Sequence, residues 1–570
     1  MVKAHTSVEM SAEAYLRRLA ERGIEYVFAN PGTDFAPIVE SLSRPGDKPY
    51  PRFISVPHEN VAMAMAHGYY RVSGKPAVVM VHVTVGTANA ICGLINAARD
   101  NIPIVLAAGR TPITETGHVA SRNSHIHWGQ EAFDQGAMVR EFVKWDYELR
   151  HGQPVESVVD RALDIAMSEP RGPVYLTLPR EVLADPAIAP RRQAIGRPAG
   201  AVPAQPAQQA IEEAARLIAA AEFPLIVTSN AGRNPQAFSS LAALAETFAL
   251  PVVQSVPNDL NLATDHPMHL GYEPGAFLPD ADVVLVIDSA VPWIPKSVLL
   301  KPGAKYIHVS ADPLVSRFPF REFEADRLIA GESCAALSFL HQALRELMKG
   351  KEATIERRRH AIAVKRENIA VRRRSVLETV RGQAPIHPVW LTTCLNAVKS
   401  KDAIVVNELG LNLGHLDLAA QGSYLGGNMS GGLGFGLGAA LGAKLAAPDR
   451  DVITVVGDGS YMFGNPISYH FIGCAQNLAT LTVVANNNAW HAVRNATLSV
   501  YPNGDAARSN VMPLTELKPS PNFEKTIEIC GGYGERVDKP DDLRAALQRG
   551  MDAVRAGTPA LINVRTQGRH

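Results

Sequence analysis

The fold is decided by residues 452–488, which read VITVVGDGSYMFGNPISYHFIGCAQNLATLTVVANNN. Two runs rich in β-branched residues, VITVV and TLTVVA, are typical of buried strands. Asp458 lies between glycines directly after the first run, and Asn486, Asn487 and Asn488 follow the second, with Asn487 29 residues after Asp458. Since parallel strands end on the same edge of a sheet, where ligands of such sheets bind, we expect a binding site there.

The residue types at this edge indicate a metal that carries a diphosphate. A carboxylate, an amide oxygen and a backbone carbonyl are the hard ligands that Mg²⁺ or Ca²⁺ prefers, and Mg²⁺ completes its coordination with substrate phosphates. Gly457 and Gly459 let backbone N–H groups approach a diphosphate closely, and Ser460 adds a hydroxyl. An aspartate in a glycine turn is often only a turn former, but two such strand ends together are more specific.

The chain as a whole predicts three domains of this parallel α/β architecture. Short apolar runs alternate with helical patterns almost throughout, as in parallel α/β domains. We therefore predict three doubly wound parallel-sheet domains, at 1–184, 207–350 and 383–570. A linker rich in proline and alanine is expected at 185–206, and a charged helical connector at 351–382.

Composition excludes several classes of protein. The 570 residues include 56 Lys and Arg and 56 Asp and Glu, and this neutral balance argues against nucleic acid or an anionic membrane as partner. No signal peptide is evident, and the apolar runs are too short to span a bilayer. The five cysteines form no close pair, so we expect free thiols in a cytoplasmic enzyme.

Glu59 follows the predicted strand PRFISV at the start of a helical stretch. Alone it indicates a helix cap. Further along the chain, Glu59 is followed by the motifs SGGLGFGLGAALGA, GDGS and NN. With motifs in this order, the chain resembles members of the thiamine-diphosphate-dependent 2-oxo acid decarboxylase and acetolactate synthase superfamily over nearly its full length. The resemblance implies a pyrimidine-binding domain, a middle domain and a diphosphate-binding domain.

The resemblance also implies roles for individual residues. Glu59 would hydrogen-bond the aminopyrimidine ring of thiamine diphosphate, while Asp458, Asn487 and the carbonyl of Ala489 would bind Mg²⁺ (or Ca²⁺). The triple asparagine leaves the register open, and the alignment favours the second of the three. The implied cofactor-binding residues are Gly432, Leu433, Gly457, Gly459, Ser460 and Asn487.

Within the superfamily the pattern is closest to benzoylformate decarboxylase. Residues 30–33, NPGT, resemble its NPGS turn, and residues 81–90, VHVTVGTANA, resemble its strand, histidine and glycine turn. On this alignment His82 handles protons on the substrate side, a task suited to a side chain whose pKa lies near neutrality. Thr33 takes the place of a serine at the substrate carboxylate.

One active-site residue of that enzyme has no counterpart here. Where its second histidine is expected, the chain reads Pro292-Trp293, which leaves the second proton-transfer group unassigned and makes Trp293 a candidate substrate contact. His491, after a strand end on the binding edge, is another candidate. His125 and His127 indicate either the mouth of the site or a surface loop.

The preferred hypothesis is non-oxidative decarboxylation of a 2-oxo acid to an aldehyde and CO₂. The alternatives are a carboligase resembling acetolactate synthase, a 2-hydroxyacyl-CoA lyase and, from another class, a nucleotide-binding dehydrogenase or non-catalytic binding module, although no GxGxxG pattern supports the last pair. The resemblance implies a homodimer or homotetramer with active sites at the chain interface. Whether the middle domain retains a flavin or nucleotide is left open.

Overall fold

The computed structural model describes residues 8–46, 48–190, 196–427, 429–509 and 511–568. Every strand pair of its three sheets is parallel, which confirms the predicted α/β class. Residues 191–195 of the predicted linker lie outside the described residues. Among the described helices, none has both the length and the apolar character that crossing a bilayer requires.

The first sheet contains six strands in the order β2-β1-β3-β4-β6-β5. These strands are β1 (Tyr26–Ala29), β2 (Arg52–Ser55), β3 (Ala77–Val81), β4 (Ile104–Arg110), β5 (Asp146–Glu148) and β6 (Val174–Pro179). The helices around it are α1 (Ser11–Glu21), α2 (Ala36–Ser43), α3 (Glu59–Ser73), α4 (Val83–Arg99), α5 (Ile126–Gly129), α6 (Val155–Met167) and α7 (Arg180–Ala184). The glycine turn expected after His82 is wrong, because those residues begin α4.

The central sheet has five strands, in the order β11-β10-β9-β7-β8. Its strands are β7 (Pro224–Thr228), β8 (Val252–Gln254), β9 (Val283–Ile287), β10 (Lys305–Ser310) and β11 (Arg327–Ala330). They pack with α8 (Gln208–Ala220), α9 (Pro235–Phe248) and α10 (Ser333–Leu347) around one apolar core. The charged stretch that follows forms a single helix of 29 residues, α11 (Glu352–Val380).

The third sheet repeats the strand order of the first, as β13-β12-β14-β15-β17-β16. Its strands are β12 (Ile404–Glu408), β13 (Tyr424–Gly426), β14 (Val452–Gly457), β15 (Leu481–Asn486), β16 (Tyr533–Val537) and β17 (Ala560–Arg565). The helices of this region are α12 (Pro388–Val398), α13 (Phe435–Ala446), α14 (Asp458–Phe463), α15 (Pro466–Ala475), α16 (His491–Val500), α17 (Asp505–Arg508), α18 (Glu524–Glu528) and α19 (Leu543–Arg555).

The described chain divides into two compact units, and the division crosses the third domain. One unit holds the central and third sheets. The other holds the first sheet with residues 428–449 and 460–478, and therefore includes α13 and α15.

Inside this second unit α13 packs against α3 along a stripe of glycines. A Cβ at Gly442 would come within 2.0 Å of the Met65 carbonyl oxygen, and one at Gly68 within 2.1 Å of the Ala439 carbonyl oxygen. Glycine at these positions lets the two backbones touch.

Candidate active site

In the two six-stranded sheets, some of the predicted site residues follow strands that flank the topological switch point. In each, the first strand of the sheet lies between the second and the third, and sheets of this kind bind ligands at the carboxyl ends where the order reverses. In the first sheet β1 leads into Asn30 and β3 leads into His82. In the third sheet β14 leads into Asp458. The topology thus gives two separate polar clusters, described in turn.

Glu59 is held by two amide side chains and does not cap its helix. Only 7% of Glu59 is exposed, and its carboxylate accepts hydrogen bonds from Asn30 Nδ2 at 2.9 Å and Asn89 Nδ2 at 2.5 Å. The cap of α3 is made instead by His58, whose Nδ1 accepts from Asn60 N at 3.2 Å. The Glu59 carboxylate is therefore held by Asn30 and Asn89, and the residue that caps α3 is His58.

A cavity of about 290 Å³ opens beside this carboxylate. It is lined by His58, Asn60, Ala88, Asn89, Cys92, Phe463 and Asn465. Asn89 belongs both to this wall and to the hydrogen bonds of Glu59. Such a mixed polar and apolar cavity next to a buried carboxylate suits an aromatic ring that carries hydrogen-bonding nitrogens.

His82 lies between a carboxylate and an amide. Its Nδ1 is 2.5 Å from Asp34 Oδ1, and its Nε2 is 3.1 Å from Gln130 Nε2. The hydrogen bond to Asp34, opposed by burial, raises the pKa of the His82 imidazole above its ordinary value. An imidazole held in this way can take up and release a proton near neutral pH.

Thr33 lies in the same cluster and contacts a second histidine. Its Oγ1 is 3.3 Å from His127 Nε2, and its carbonyl oxygen accepts a hydrogen bond from Arg180 Nη1 at 3.2 Å. Burial, together with the positive charge of Arg180, lowers the pKa of His127. His127 is 1% exposed whereas His125 is exposed, so only the former lies within this cluster.

The glycine-rich loop before α13 is fixed by asparagines of α3 and α4. Asn96 accepts from Gly432 N at 3.2 Å and donates to Gly432 O at 2.9 Å. Asn60 Nδ2 donates to the Leu433 carbonyl oxygen at 3.4 Å. A Cβ at Gly432 would lie 2.4 Å from Asn96 Oδ1, which explains glycine at this position. The loop presents a half-buried Leu433 side chain.

Asp458 faces the loop that follows β15. It is 2% exposed and accepts hydrogen bonds from the backbone N–H groups of Gly459, Asn488 and Ala489. Burial outweighs these bonds and raises the pKa of Asp458 to about 6. A cation at this position would favour the charged carboxylate.

The three asparagines differ in how their side chains are engaged. Asn486 donates to Ser520 Oγ and Asn563 Oδ1, so it is part of the sheet's interior. Asn487 Oδ1 accepts from Ala489 N at 2.9 Å. Asn488 has a φ of 56° and a buried Oδ1 without a hydrogen-bond partner among the described residues.

This donor set fits a hard cation. Within the described part of the chain, no three His, Cys, Asp or Glu side chains cluster as metal ligands do, so a metal here needs amide and carbonyl oxygens beside one carboxylate. The loop after β15 supplies them, including the unpartnered Asn488 oxygen. Above the site Trp490 covers Gly459, where a Cβ would lie 2.2 Å from the indole ring.

The remaining predicted substrate residues have structural contacts. Trp293 is 7% exposed in the central core, with its ring centroid 5.2 Å from those of Tyr306 and Phe323. His491 packs on Gly568, where a Cβ would lie 2.2 Å from its ring. Their roles toward substrate stay predictions.

Four residues of the first cluster were missed by sequence reasoning: Asn30, Asp34, Asn89 and Gln130. Each stands inside or beside a motif that was singled out, so proximity to those motifs was the available signal. Nothing in their spacing indicates that Asp34 reaches His82, 48 residues later, because that contact depends on β1 and β3 being neighbours.

Comparison with known proteins identifies the fold's family. The N-terminal TPP binding domain of thiamine pyrophosphate enzymes matches residues 10–138, their central domain matches residues 211–317, and their C-terminal TPP binding domain matches residues 411–564. The chain belongs to the thiamine pyrophosphate enzymes. More specifically, it is a thiamine-pyrophosphate-dependent enzyme of the decarboxylase and acetolactate synthase family.

The relatives of this chain are named for more than one activity. A probable acetolactate synthase of Mycobacterium bovis is 27% identical over 96% of this chain and 94% of its own. A benzoylformate decarboxylase of Pseudomonas aeruginosa is 28% identical over 96% of this chain and 97% of its own. The solved structure of a 4-hydroxybenzoylformate decarboxylase from Rhodococcus jostii, 24% identical, matches with a TM-score of 0.78 over 98% of this chain and 100% of that one, which shows the shared fold.

Proposed function

We propose that this thiamine pyrophosphate enzyme is a non-oxidative decarboxylase of a benzoylformate-like 2-oxo acid, which it converts into an aldehyde and CO₂. The observation that supports this choice is the imidazole of His82, placed at the switch point of the first sheet between Asp34 and Gln130. A reaction that ends in an aldehyde needs a proton donor at that place.

The cofactor-facing roles follow from the two polar clusters. Thiamine diphosphate, when bound, supplies a nucleophilic carbon and an electron sink for the bond that releases CO₂. Glu59 would hydrogen-bond its pyrimidine ring from a carboxylate that Asn30 and Asn89 already orient. Asp458 and the loop after β15 would hold Mg²⁺ or Ca²⁺, and through it the diphosphate.

The overall reaction has a simple proton balance. A 2-oxo carboxylate loses CO₂, and its former carbonyl carbon gains one proton to become the aldehyde carbon. His82 in its protonated form can deliver this proton and recover one from solvent. Thr33, whose hydroxyl faces the same cluster, would hold the substrate carboxylate until it leaves as neutral CO₂.

Carboligation of the acetolactate synthase type is the second candidate. It is supported by relatives of that name that match the chain from end to end at similar identity. There the proton would be replaced by a second carbonyl compound, so a histidine donor at the substrate side favours decarboxylation. We further propose a cytoplasmic homodimer or homotetramer in which Glu59 of one chain faces the metal site of another.

Product analysis tests the proposal. The purified protein would be incubated with thiamine diphosphate, Mg²⁺ and a panel of pyruvate, a branched-chain 2-oxo acid, phenylpyruvate and benzoylformate, while CO₂ and the organic product are followed together. Aldehyde from an aromatic acid would support the proposal. A 2-hydroxy ketone or acetohydroxy acid as the main product would favour carboligation instead.

A further inference from the structure

Asp34 is a buried carboxylate whose Oδ1 contacts the imidazole of His82. It is 3% exposed, its Oδ1 lies 2.5 Å from His82 Nδ1, and its Oδ2 has no hydrogen-bond partner among the described residues. A buried carboxylate is costly unless a positive or hydrogen-bonding group compensates it. Here the imidazole N–H is the group that does so.

Two glycines make room for this pair. A Cβ at Gly32 would lie 2.1 Å from His82 Nδ1, and a Cβ at Gly109 would lie 1.7 Å from Asp34 Oδ2. Gly32 has a φ of −136°, which any residue adopts, so its glycine is required by space rather than by backbone conformation. A side chain at either glycine position would therefore collide with the Asp34 carboxylate or the His82 imidazole.

Gln130 meets the opposite edge of the ring. Its Nε2 is 3.1 Å from His82 Nε2, and its Oε1 is buried without a hydrogen-bond partner among the described residues. Thr84 Oγ1 donates to the Gln130 carbonyl oxygen at 2.8 Å and fixes the loop. Because the two ends of an amide exchange by a rotation, Gln130 can donate to the neutral ring and accept from the protonated one.

We propose that Asp34 is a positioning residue, which holds His82 with Nδ1–H toward the carboxylate and leaves Nε2 to carry the proton that the reaction consumes. This rests on the proposed decarboxylation. The Nε2–H bond breaks as the proton passes to the former carbonyl carbon, and the neutral ring then takes a proton from water. Asp34 stabilises the imidazolium form through this hydrogen bond.

Other charged groups also face this pair. Glu59 lies on the His82 side and favours the imidazolium, whereas His127 and Arg180 lie on the side of Thr33 and Asp34. The hydrogen bond that His82 Nδ1–H donates to Asp34 is the largest influence on His82 and raises its pKa. Removing the charge of Asp34 is therefore the specific way to test the pair.

The first test needs no turnover. Histidine labelled with ¹³C and ¹⁵N would be followed by NMR from low to high pH in the full-length protein with thiamine diphosphate and Mg²⁺, with the His82 signal assigned by its loss in His82→Gln. We expect a pKa above the ordinary value of about 6.5 and the Nδ1–H tautomer when neutral, and in Asp34→Asn a pKa lower than that of the wild type. A wild-type pKa at or below about 6.5, or an Asp34→Asn signal that titrates like the wild type, would overturn the proposal.

The second test is kinetic and uses the same variants. With the best 2-oxo acid of the panel, Asp34→Asn should lower kcat about 100-fold or more with a small change in KM, and its rate should be lost at a lower pH than in the wild type. Asp134→Asn, an exposed aspartate paired with Arg140, is the matched control and should match the wild type. Unchanged kcat and pH profile in Asp34→Asn would contradict the role. If no 2-oxo acid is turned over, the proposed function fails, while the NMR titration still decides whether Asp34 controls His82.

Discussion

Asn89 Nδ2 donates a hydrogen bond of 2.5 Å to Glu59 Oε2, and this contact joins the first turn of α3 to the second turn of α4. Asn89 also lines the neighbouring cavity of about 290 Å³. The pair therefore fixes the group that we assign to the cofactor's pyrimidine ring before any cofactor binds.

Replacing Glu59 by glutamine should separate binding from catalysis. Glu59→Gln keeps the size of the side chain but removes the charge, and because its amide nitrogen cannot accept, it retains as acceptor only one of the two hydrogen bonds from Asn30 and Asn89. We expect thiamine diphosphate affinity near that of the wild type and a kcat lower by about 10²- to 10⁴-fold, measured by calorimetry and by CO₂ release. A near-normal rate would remove Glu59 from the catalytic residues.

Removal of Asp458 should abolish cofactor binding that depends on Mg²⁺. Asp458→Ala deletes the carboxylate that faces the loop after β15, so calorimetry with Mg²⁺ and thiamine diphosphate should detect little or no heat. Asp505→Ala, an exposed aspartate of the same compact unit, is the control. Equal affinity in wild type and Asp458→Ala would refute the metal site.

The asparagine that binds the metal can be identified by the same measurement. Asn487→Ala and Asn488→Ala each remove one amide oxygen, and the unpartnered Oδ1 of Asn488 makes both worth testing. We expect the variant that removes the ligand to weaken Mg²⁺-dependent binding about 10-fold or more, and the other to have a smaller effect. If neither variant changes binding, backbone oxygens and Asp458 alone would have to hold the cation.

The glycine contact between α3 and α13 should be sensitive to one methyl group. In Gly68→Ala the new Cβ would meet the Ala439 carbonyl oxygen, so the helices must separate and the free energy of unfolding should fall by about 1–3 kcal/mol. Gly382→Ala, whose Cβ would have no atom within 4 Å, is the control. Equal urea midpoints for the two variants would contradict the close packing.

Acid should destabilise the protein through histidines buried in their neutral form. Burial lowers the pKa of His470 to about 3, and its Nε2 lies 2.7 Å from the hydroxyl of Tyr461. The unfolded chain binds this proton below about pH 6.5 and the folded chain does not, so stability is complete above that pH and falls by about 1.4 kcal/mol per unit below it. Urea midpoints at several pH values would measure this slope. His470→Gln should reduce the slope and His360→Gln, an exposed position, should keep it; equal slopes in all three proteins would contradict the account.

Much of this fold could be predicted from sequence because many of its strands, such as β3, β14 and β15, are short and almost wholly buried. VITVVG forms β14, and the strand before the asparagines forms β15, as their β-branched pattern indicates. The equal strand order of the first and third sheets could not be predicted, since sheet order depends on contacts between distant segments. For the same reason the packing of α13 against α3 could not be predicted.

The candidate site, like the fold, could be predicted only in part. Glu59, His82 and Asp458 stand at strand ends that the sequence marks clearly, and local pattern sufficed to single them out. The contacts of Asp34 and Gln130 with His82 could not be predicted, because they form only when β1, β3 and residues 110–135 come together around its imidazole. Trp293, which the resemblance made a candidate substrate contact, lies in the core of the central sheet, and its role toward substrate stays a prediction.

The central claim is that the reaction ends with a proton on the former carbonyl carbon. It is tested most directly by incubating the protein with thiamine diphosphate, Mg²⁺ and benzoylformate in D₂O, and by measuring CO₂ and the organic product together. The account predicts equal amounts of CO₂ and benzaldehyde, with deuterium on the aldehyde carbon. A product in which that carbon is joined to a second carbonyl compound, with no deuterated aldehyde released, would contradict it.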